Sequence, residues 1–399
     1  MAPRYQDEDD WEYEEAPRKR SSSGGKKKSS GKKSSAKGTS GKKKMSAKAK
    51  AKKKRKRILL FMGEIILLAV MLIVLWGVTR TEKVGHLEIP EEEIVVNEGV
   101  SEEQIEVMKG YRNVALFGVD STTGALTKNT RSDSIMIASI NLDTKEIRLV
   151  SVYRDTFMNL GNDKYNKCNG AYAAGGPKQA ISMLNANLDM NIKDFVTIGF
   201  AGLIDTIDAL GGIPLDITNE EIHYLNDYQY CIAEDLKRQY TPVSNAGLQV
   251  VDGMQATGYC RIRYTKGDDF KRAERQRNVL KAIMDKSKEA SVSQLVEIAN
   301  DVFDEVYTSF GIGEITELLG EASEYRVVAD DGFPREDGRW TGNIGSPGDC
   351  IVPNDLTKNV SWLHEFLFDE SGYVPSNEVQ EYSDYITSAT SKYKPKSAQ

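Results

Sequence analysis

An apolar run of 21 residues, residues 58–78, constrains the fold of this chain more than any other feature of its sequence. The run is long enough to cross the hydrocarbon core of a bilayer once as a helix. It is too long for a typical signal peptide, its basic flank is too extended, and no Ala-x-Ala-like cleavage site follows it. The sequence therefore predicts a single N-terminal transmembrane helix that separates two parts of the chain.

The charge on the two sides of this run predicts its orientation. The chain carries 53 Lys and Arg against 59 Asp and Glu, yet residues 1–57 contain 21 basic and only 7 acidic side chains. Lys and Arg beside a span favour the cytoplasmic side. We therefore expect a disordered, basic cytoplasmic tail over 1–57 and an extracellular remainder of a single-pass cell-membrane protein. The tail is expected to contact anionic membrane lipid and to bind no specific nucleic acid.

The sequence after the span predicts an α/β domain between two segments without clear periodicity. Residues 79–108 are rich in Glu and predict an extracellular stalk, and residues 371–399 are rich in Ser, Tyr and Lys and predict a disordered C-terminal tail. Between them, over 109–370, short apolar runs alternate with amphipathic stretches, which indicates a mixed central β-sheet flanked by helices. The predicted strands are 114–119, 134–140, 146–153, 195–198 and 213–217. The main predicted helices are 179–188, 203–210, 251–261, 272–286 and 356–368, with further helices over 290–330. Gly211 and Gly212 are expected to close the helix 203–210.

Four cysteines lie in the predicted extracellular part: Cys168, Cys231, Cys260 and Cys350. An even number in an oxidising compartment permits two disulfides with three possible connectivities, whereas a reducing surface would leave all four thiols free. The chain has only three histidines and lacks the H-E-x-x-H, G-x-S-x-G and Walker motifs. These observations disfavour a histidine-based metal site and a serine triad.

Arginines interleaved with aspartates are the candidate functional residues. Asp120 directly follows the predicted strand 114–119, and Arg131 and Asp133 are two residues apart at the start of the next strand, so their side chains share a face. Oxygen ligands from Asp120 and Asp133 suit a divalent cation, with positions left for water and phosphate. The alternative is that each aspartate is a turn residue or pairs locally with an arginine.

Basic side chains also crowd the first two turns of the predicted helix near residue 269. Cations there oppose the helix dipole, whereas an anion bound at the same end would be stabilised by it. Arg272, Arg275 and Gln276 share one helix face. The alternative is a solvated surface, chiefly for Lys271 and Arg277.

The chain resembles the LytR-CpsA-Psr family of Gram-positive envelope proteins over roughly residues 111–287, and more loosely to 368. The strings that carry the resemblance are Leu-Phe-Gly-Val-Asp at 116–120, Arg-Ser-Asp-Ser-Ile-Met at 131–136, Arg-Asp-Thr at 154–156, Lys-Cys-Asn-Gly-Ala-Tyr at 167–172, Tyr-Cys-Arg-Ile-Arg at 259–263, Asp-Phe-Lys-Arg at 269–272 and Glu-Arg-Gln-Arg at 274–277. Two positions differ from the usual family pattern: Tyr153 replaces a frequent proline, and Thr257 with Gly258 replaces a frequent Ala-Leu pair.

The resemblance implies an LCP-type α/β/α domain that transfers a glycopolymer, such as teichoic acid or capsular polysaccharide, from polyprenyl pyrophosphate to peptidoglycan with Mg²⁺ or Mn²⁺. Asp120 and Asp133 would hold the metal, and Arg131, Arg154 and Asp155 would be catalytic. The residues that would bind pyrophosphate are Arg131, Arg154, Lys167, Arg261, Arg263, Arg272, Arg275 and Gln276. Water in place of the acceptor would give pyrophosphatase activity. The alternatives are a non-catalytic binder or sensor of the lipid pyrophosphate and a transcriptional attenuator.

Overall fold

The computed structural model describes residues 85–120, 126–127 and 130–395. The predicted cytoplasmic tail, the predicted span and the first residues of the predicted stalk lie outside this part of the chain. In the described part, no helix is both long and apolar enough to cross a membrane.

The described residues form an alternating series of strands and helices. The strands are β1 (Gly85–His86), β2 (Tyr111–Val119), β3 (Ser132–Asn141), β4 (Glu146–Val152), β5 (Phe157–Asn159), β6 (Tyr165–Lys167), β7 (Asp194–Ile198), β8 (Ile213–Ile217), β9 (Gly247–Val251), β10 (Val306–Thr308), β11 (Arg326–Phe333), β12 (Arg339–Asn343) and β13 (Asp349–Pro353). The α-helices are α1 (Glu102–Lys109), α2 (Asn169–Leu188), α3 (Phe200–Ala209), α4 (Asn219–Leu236), α5 (Gly253–Arg261), α6 (Asp268–Ser287), α7 (Val292–Val302), α8 (Ile312–Gly320), α9 (Leu356–Phe368) and α10 (Asn377–Thr390).

Seven strands form a mixed central sheet in the order β1-β10-β7-β2-β3-β4-β11. The strands β2, β3 and β4 are antiparallel neighbours, whereas β7 runs parallel to β2 and β11 runs parallel to β4. The β3–β4 turn lies where the sequence predicts it, because Asn141 Oδ1 accepts the N–H groups of Asp143 and Thr144, and Lys145 adopts a φ of 58°. The predicted mixed α/β architecture is confirmed.

Helices cover both faces of this sheet because side chains alternate along its buried strands. Phe117 of β2 belongs to the larger core, together with Leu184 of α2 and Leu363 of α9. Leu116 points to the other face, where Leu280 of α6 packs with it. Phe117, Leu184 and Leu363 are fully buried, and each contributes about 1.5–3 kcal/mol relative to exposure, whereas Leu116 and Leu280 are part-buried.

A second core lies among α4, α5, α6 and the two-stranded β8–β9 sheet. Gly211 and Gly212, with φ values of 78° and 88°, turn the chain from α3 into β8, as the sequence predicts for a helix end. The predicted helix 251–261 begins later, at Gly253, because Asp252 caps it in a capping box with Gln255. This smaller core fixes the end of α5 and the start of α6, which carry most of the candidate arginines.

Residues 85–108 belong to the folded domain, so the predicted stalk over 79–108 is wrong for the described part. The strand β1 pairs with β10, and Met108 of α1 is fully buried. The side chain of Gln104 lies 2.8 Å from Nδ1 of His364 in α9. The Glu-rich surface of this segment obscured the few apolar side chains that attach it to the core.

The prediction of a disordered tail over 371–399 is wrong for the described residues up to 395. Helix α10 buries Val379 and Ile386, seven residues apart, against the larger core. The fully buried carboxylate of Asp189 accepts hydrogen bonds from Ser376 Oγ at 2.6 Å and from Tyr373 Oη at 2.9 Å. Two buried apolar positions and a buried carboxylate therefore outweigh the polar composition of this segment.

Other elements also differ from the sequence prediction. Helix α4 and the strands β9, β10, β11 and β12 were not predicted, and the predicted helices of 290–330 share that stretch with β10 and the start of β11. Helix α2 begins at Asn169 and is kinked at Gly175 and Gly176. Gly176 has a φ of 69°, and a Cβ atom there would collide with the carbonyl oxygen of Thr127. All four cysteines are free thiols.

Candidate functional site

The antiparallel strands β2, β3 and β4 bring three chain segments to one edge of the central sheet. The C-terminal ends of β2 and β4 meet the N-terminal end of β3 there, so Asp120, Asp133 and Arg154 become neighbours. Helix α6 contacts β4 and β11 and adds the side chains of its first turn. The sequence-predicted residues from distant strings therefore come together.

A β-bulge sets the position of Asp133. Gly118 pairs with Ser134 while Val119 pairs with Ser132, so Asp133 is the extra residue on β3. Ser132 is fully buried, whereas the carboxylate of Asp133 is part-exposed at the site. Arg131 is exposed just before β3 and, within the described ranges, makes no ion pair with these aspartates.

Arg154 is the link between the sheet carboxylates and the neighbouring loop. Its Nη1 donates to Asp133 Oδ1 at 2.6 Å, and its Nε lies 3.6 Å from Asp155 Oδ2. Lys167 Nζ lies 3.2 Å from the other oxygen of Asp155. Burial alone would lower the pKa of Arg154, but the charges of Asp133, Asp155 and Asp269 raise it above its ordinary value. The guanidinium is therefore held charged by carboxylates on three segments.

Asp269 is a central residue of the site that the sequence reasoning missed. Its Oδ1 lies 2.8 Å from Arg272 Nη2, 3.8 Å from Arg154 Nε and 4.0 Å from Arg263 Nε. Burial raises the pKa of Asp269 above its ordinary value, and the charges of Arg272 and Arg154 oppose that rise. The signal was present in the sequence, since Asp269 and Arg272 have the i, i+3 spacing of a helical ion pair.

Arg272 is the most buried guanidinium of this set, with 5% of its side chain exposed. Burial lowers its pKa from the ordinary value, and the positive charge of Arg154 lowers it further, although Asp269 opposes the change. Two guanidinium groups thus approach each other around one carboxylate. An additional anion at this position would relieve their mutual repulsion.

Arg261 approaches the site from the last turn of α5. Its Nη2 lies 3.8 Å from Asp120 Oδ2, and its guanidinium lies over the rings of Phe200 and Tyr228 at 4.7 and 5.3 Å from their centroids. Such cation–π contacts fix the plane of the guanidinium without using its N–H donors. The N–H groups therefore remain available to an anion.

Three buried guanidinium nitrogens have no hydrogen-bond partner within the described part of the chain. They are Arg154 Nε, Arg261 Nη1 and Arg272 Nε. A buried donor left without a partner costs about 1–3 kcal/mol, so native proteins rarely retain several in one place. The three donors come from three different segments of the chain: the loop after β4, helix α5 and helix α6. Together they form a site that can donate hydrogen bonds to the oxygens of a bound anion.

The carboxylates of Asp120 and Asp133 are suited to a divalent cation. Burial raises the pKa of Asp120, Arg261 opposes that rise, and the nearby charge of Asp133 adds to it. The structure also pairs Asp133 with Arg154, as the alternative interpretation of the sequence allowed. No cluster of three or more His, Cys, Asp or Glu suited to a metal occurs in the described ranges. Two carboxylates fit Mg²⁺, which usually keeps several waters and takes its remaining ligands from phosphate.

Arg275 supports the site and does not offer free donors to it. Its Nε donates to Glu221 at 2.7 Å, its Nη1 to the Ile262 carbonyl at 3.2 Å and its Nη2 to Thr265 Oγ1 at 2.7 Å, all of them buried. We therefore correct its assignment from pyrophosphate ligand to support for the loop after α5. Gln276 Nε2 lies 3.4 Å from the Cys260 carbonyl, beside Arg261.

Arg277 and Lys271 lie outside the pyrophosphate set, in different ways. Lys271 is exposed and pairs with Glu274, in agreement with a solvated surface. Arg277 is buried, and it donates to Asp330 at 2.7 Å and to Ser151 Oγ at 2.9 Å. The expectation of a solvated surface is wrong for Arg277, because it attaches α6 to the sheet.

The two positions that depart from the usual family pattern have structural roles. The ring of Tyr153 packs edge-on against Phe270 of α6 with centroids 4.7 Å apart, and Gly332 leaves the space that its hydroxyl occupies. Gly258 lets α5 approach α4, since a Cβ atom there would lie 2.9 Å from the Leu225 carbonyl oxygen. Both positions therefore fix the helices that carry the arginines.

Comparison with known proteins adds a sequence relationship. The model of the LytR_cpsA_psr family matches residues 86–341. Biofilm regulatory protein A of Streptococcus mutans is 34% identical over 229 residues, and the polyisoprenyl-teichoic acid–peptidoglycan teichoic acid transferase TagU of Enterococcus faecalis is 32% identical over 217 residues. Each match spans 54% of this chain and covers 54% and 65%, respectively, of the two relatives. The matched region is thus less than two thirds of either relative.

Solved structures share the fold. A chain described as TagT bound to LI-WTA aligns with a TM-score of 0.52 and 19% identity, over 77% of this chain and 100% of that chain. A chain described as a transcriptional regulator from Enterococcus faecalis aligns with a TM-score of 0.54 and 24% identity, over 72% and 97% of the two chains. At such identities the comparison supports the fold alone.

Proposed function

The chain belongs to the LytR_cpsA_psr family, and from this membership we propose that it is a glycopolymer transferase of the phosphotransferase type. It moves a glycopolymer from a polyprenyl-pyrophosphate carrier to peptidoglycan and leaves the two joined by a phosphodiester. The Enterococcus faecalis relative named as a teichoic acid transferase supports this reaction class. The observation that carries the proposal is the set of three buried guanidinium donors without partners, on Arg154, Arg261 and Arg272.

The oxygens of a pyrophosphate group can accept hydrogen bonds from these donors. Pyrophosphate offers several charged oxygens within one compact group, and arginine is the side chain best suited to bind them through paired N–H groups. Lys167 and Arg263 add positive charge at the border of the cluster, where both are part-exposed. Exposed Arg131 is free to approach from the loop before β3. The carboxylates of Asp133 and Asp269 hold the arginines in place before the lipid binds.

The reaction requires a proton acceptor and stabilisation of the leaving phosphate. A hydroxyl group of peptidoglycan attacks the phosphorus that bears the glycopolymer, the bond to the bridging oxygen breaks, and polyprenyl phosphate leaves. Asp155 lies beside Arg154 and Lys167, where its carboxylate can accept the proton of that hydroxyl. Arg154 and Arg272 stabilise the charge that develops on the departing phosphate. Water in place of the hydroxyl would give pyrophosphatase activity at the same site.

We propose that Mg²⁺, or Mn²⁺, binds at Asp120 and Asp133. The bound ion would supply positive charge next to the phosphate oxygens. Binding would draw Asp133 away from its exclusive pairing with Arg154 and free donors of Arg154 for the substrate. Replacement of Asp120 by Asn should weaken binding of Mn²⁺ to the purified protein, which can be measured by its effect on water proton relaxation. Unchanged Mn²⁺ binding would remove Asp120 from the metal site.

We also propose that the protein is anchored in the cell membrane by residues 58–78, with the catalytic domain outside and the basic tail on anionic lipid inside. The length of the apolar run and the basic block before it support this placement. Protease added to intact cells should degrade the domain and spare the tail. Protection of the domain under those conditions would contradict the placement.

A transfer assay tests the proposed function. The purified full-length chain is supplied with Mg²⁺, a lipid-pyrophosphate-linked glycan and peptidoglycan, and Asp133→Ala and Arg154→Ala are measured in parallel. Arg326→Ala is the matched control, since Arg326 is 61% exposed and pairs with Glu146. We expect transfer by the wild type and the control and a loss of at least about a hundredfold in both site variants. If the wild type binds the lipid without transferring its glycan, the result would favour the alternative function, a non-catalytic binder or sensor of the lipid pyrophosphate.

A further inference from the structure

Three tyrosines form an aromatic surface next to the candidate site, and no part of the proposed reaction uses it. The ring of Tyr165 on β6 is stacked on that of Tyr385 on α10, with centroids 3.8 Å apart and planes 25° from parallel. The ring of Tyr382 approaches Tyr165 edge-on, with centroids 6.4 Å apart. The surface is therefore assembled from two segments that are more than two hundred residues apart in sequence.

Strand β6 connects this surface to the reacting groups. Tyr165 and Lys167 are two residues apart on β6, so their side chains lie on the same side, about 7 Å apart along the strand. Lys167 Nζ lies 3.2 Å from Asp155, the residue proposed to accept the proton of the attacking hydroxyl. The aromatic surface is therefore continuous along β6 with the Lys167–Asp155 pair of the candidate site.

Tyr385 is the solvent-exposed member of this surface, whereas Tyr165 and Tyr382 are part-buried against the larger core. Tyr385 is 49% exposed although one of its neighbours is a stacked ring. The hairpin turn between β5 and β6 carries exposed Asn162 and Asp163, and the charge of Asp163 acts on both Tyr165 and Tyr382. Flat aromatic faces that are bordered by amide and carboxylate groups suit sugar rings, which have apolar faces and a rim of hydroxyl groups.

The charge around the tyrosines distinguishes between possible occupants. Helix α10 exposes Glu381 and Asp384 to solvent, part-buried Glu378 accepts the Gly99 N–H beside them, and exposed Asp163 adds a fourth carboxylate close by. These charges repel anionic lipid headgroups and a phosphate-rich polymer. Uncharged, hydroxyl-rich glycan rings are not repelled by these carboxylates and are therefore the favoured ligand.

We propose that the Tyr165–Tyr382–Tyr385 surface binds the glycan strand of peptidoglycan and so positions the acceptor. The proposal rests on the proposed function and adds the subsite through which that function selects its acceptor. Tyr382 and Tyr385 lie beyond residues 86–341, the part of the chain that the family model matches. The subsite therefore depends on the C-terminal helix of this chain.

A binding measurement tests the subsite directly. The probe is a soluble tetrasaccharide of alternating N-acetylglucosamine and N-acetylmuramic acid, with the lactyl carboxyl groups converted to uncharged amides, titrated into the full-length chain in detergent. Tyr385→Ala should weaken binding about 3- to 10-fold, whereas Tyr385→Trp should retain it. Tyr230→Ala is the control, because Tyr230 is a comparably exposed tyrosine on α4, at 53%. Equal affinity of wild type and Tyr385→Ala would overturn the proposal.

The transfer assay separates this proposal from the proposed function. For Tyr385→Ala we expect a higher KM for peptidoglycan, with the KM for the lipid-linked donor and the rate of donor hydrolysis unchanged. A higher KM for the donor alone would assign the surface to the donor glycan and overturn the acceptor role. Absence of transfer by the wild type would overturn the proposed function, whereas transfer that Tyr385→Ala leaves unchanged would overturn the subsite alone.

Discussion

Asp269 and Arg272 form an ion pair of 2.8 Å within the first turn of α6, and only 5% of the Arg272 side chain is exposed. The same carboxylate oxygen lies within 4.0 Å of Arg154 and Arg263. A single carboxylate therefore holds three guanidinium groups together before any substrate binds. An incoming pyrophosphate adds the negative charge that one carboxylate cannot supply to all three.

Neutralisation of Asp269 should therefore destabilise the free protein. We predict that Asp269→Asn lowers the free energy of unfolding by about 3 kcal/mol, because it leaves buried Arg272 without its counter-ion. Inorganic pyrophosphate should raise the Tm of this variant by more than it raises that of the wild type, since the anion replaces the lost charge. Glu274→Gln, which changes an exposed pair with Lys271, is the control. A wild-type Tm for Asp269→Asn would contradict the central role of Asp269.

Arg275 should affect stability far more than pyrophosphate binding. Its ion pair with Glu221 is buried on both sides, and removal of one partner of such a pair costs about 3–5 kcal/mol. We predict that Arg275→Met unfolds at a lower denaturant concentration but, while folded, binds inorganic pyrophosphate within about threefold of the wild type. Arg272→Met should lose that binding. If Arg275→Met is stable but no longer binds pyrophosphate, Arg275 must be assigned to the pyrophosphate site after all.

The sequence predicts the elements that local patterns define. The apolar run at 114–119, the turn at 141–145 and the amphipathic helix at 356–368 each contain their own signal, and the structure places a strand, a hairpin and a helix there. Arginine and aspartate strings likewise indicate an anion site. Those signals do not depend on distant parts of the chain.

The rest of the fold depends on tertiary contacts that no local pattern displays. Helix α10 has only a few apolar side chains, and it is ordered because Asp189 accepts hydrogen bonds from Ser376 and Tyr373 across the domain. The different roles of Arg275 and Arg272 also depend on a tertiary contact. Both lie on one helix face, but Glu221, distant in sequence, satisfies only Arg275.

Stability should decrease in acid through His364. Its Nε2 lies 2.8 Å from the Leu188 carbonyl and its Nδ1 lies 2.8 Å from Gln104, and burial lowers its pKa to about 4. The neutral ring stabilises the fold above pH 6.5, and this contribution is lost as the pH falls from about 6.5 through about 4, by on the order of 3 kcal/mol.

The pH dependence of unfolding in denaturant checks this prediction. The difference between wild type and His364→Phe should shrink steadily between pH 7 and pH 4, whereas exposed His223→Gln should follow the wild type throughout. A constant difference over that range would show that the pKa of His364 is the same in the folded and unfolded states.

The C-terminal helix should be required for a stable domain. We predict that a chain truncated after residue 370 loses several kcal/mol of stability, because Val379 and Ile386 each contribute about 1.5–3 kcal/mol by burial. Asp189 would also keep a buried charge without the donors of Ser376 and Tyr373. Equal stability of the chain truncated after residue 370 would contradict the packing of α10.

The most direct test of the account compares the affinity of the full-length protein for polyprenyl pyrophosphate and for polyprenyl monophosphate. The account predicts that the wild type and Arg326→Ala prefer the pyrophosphate by at least about tenfold, since several guanidinium groups can bind its additional oxygens. Arg154→Ala should lose most of that preference while it retains binding of the polyprenyl chain. Equal affinity of the wild type for the two lipids, or a preference that survives in Arg154→Ala, would contradict a pyrophosphate site at these arginines.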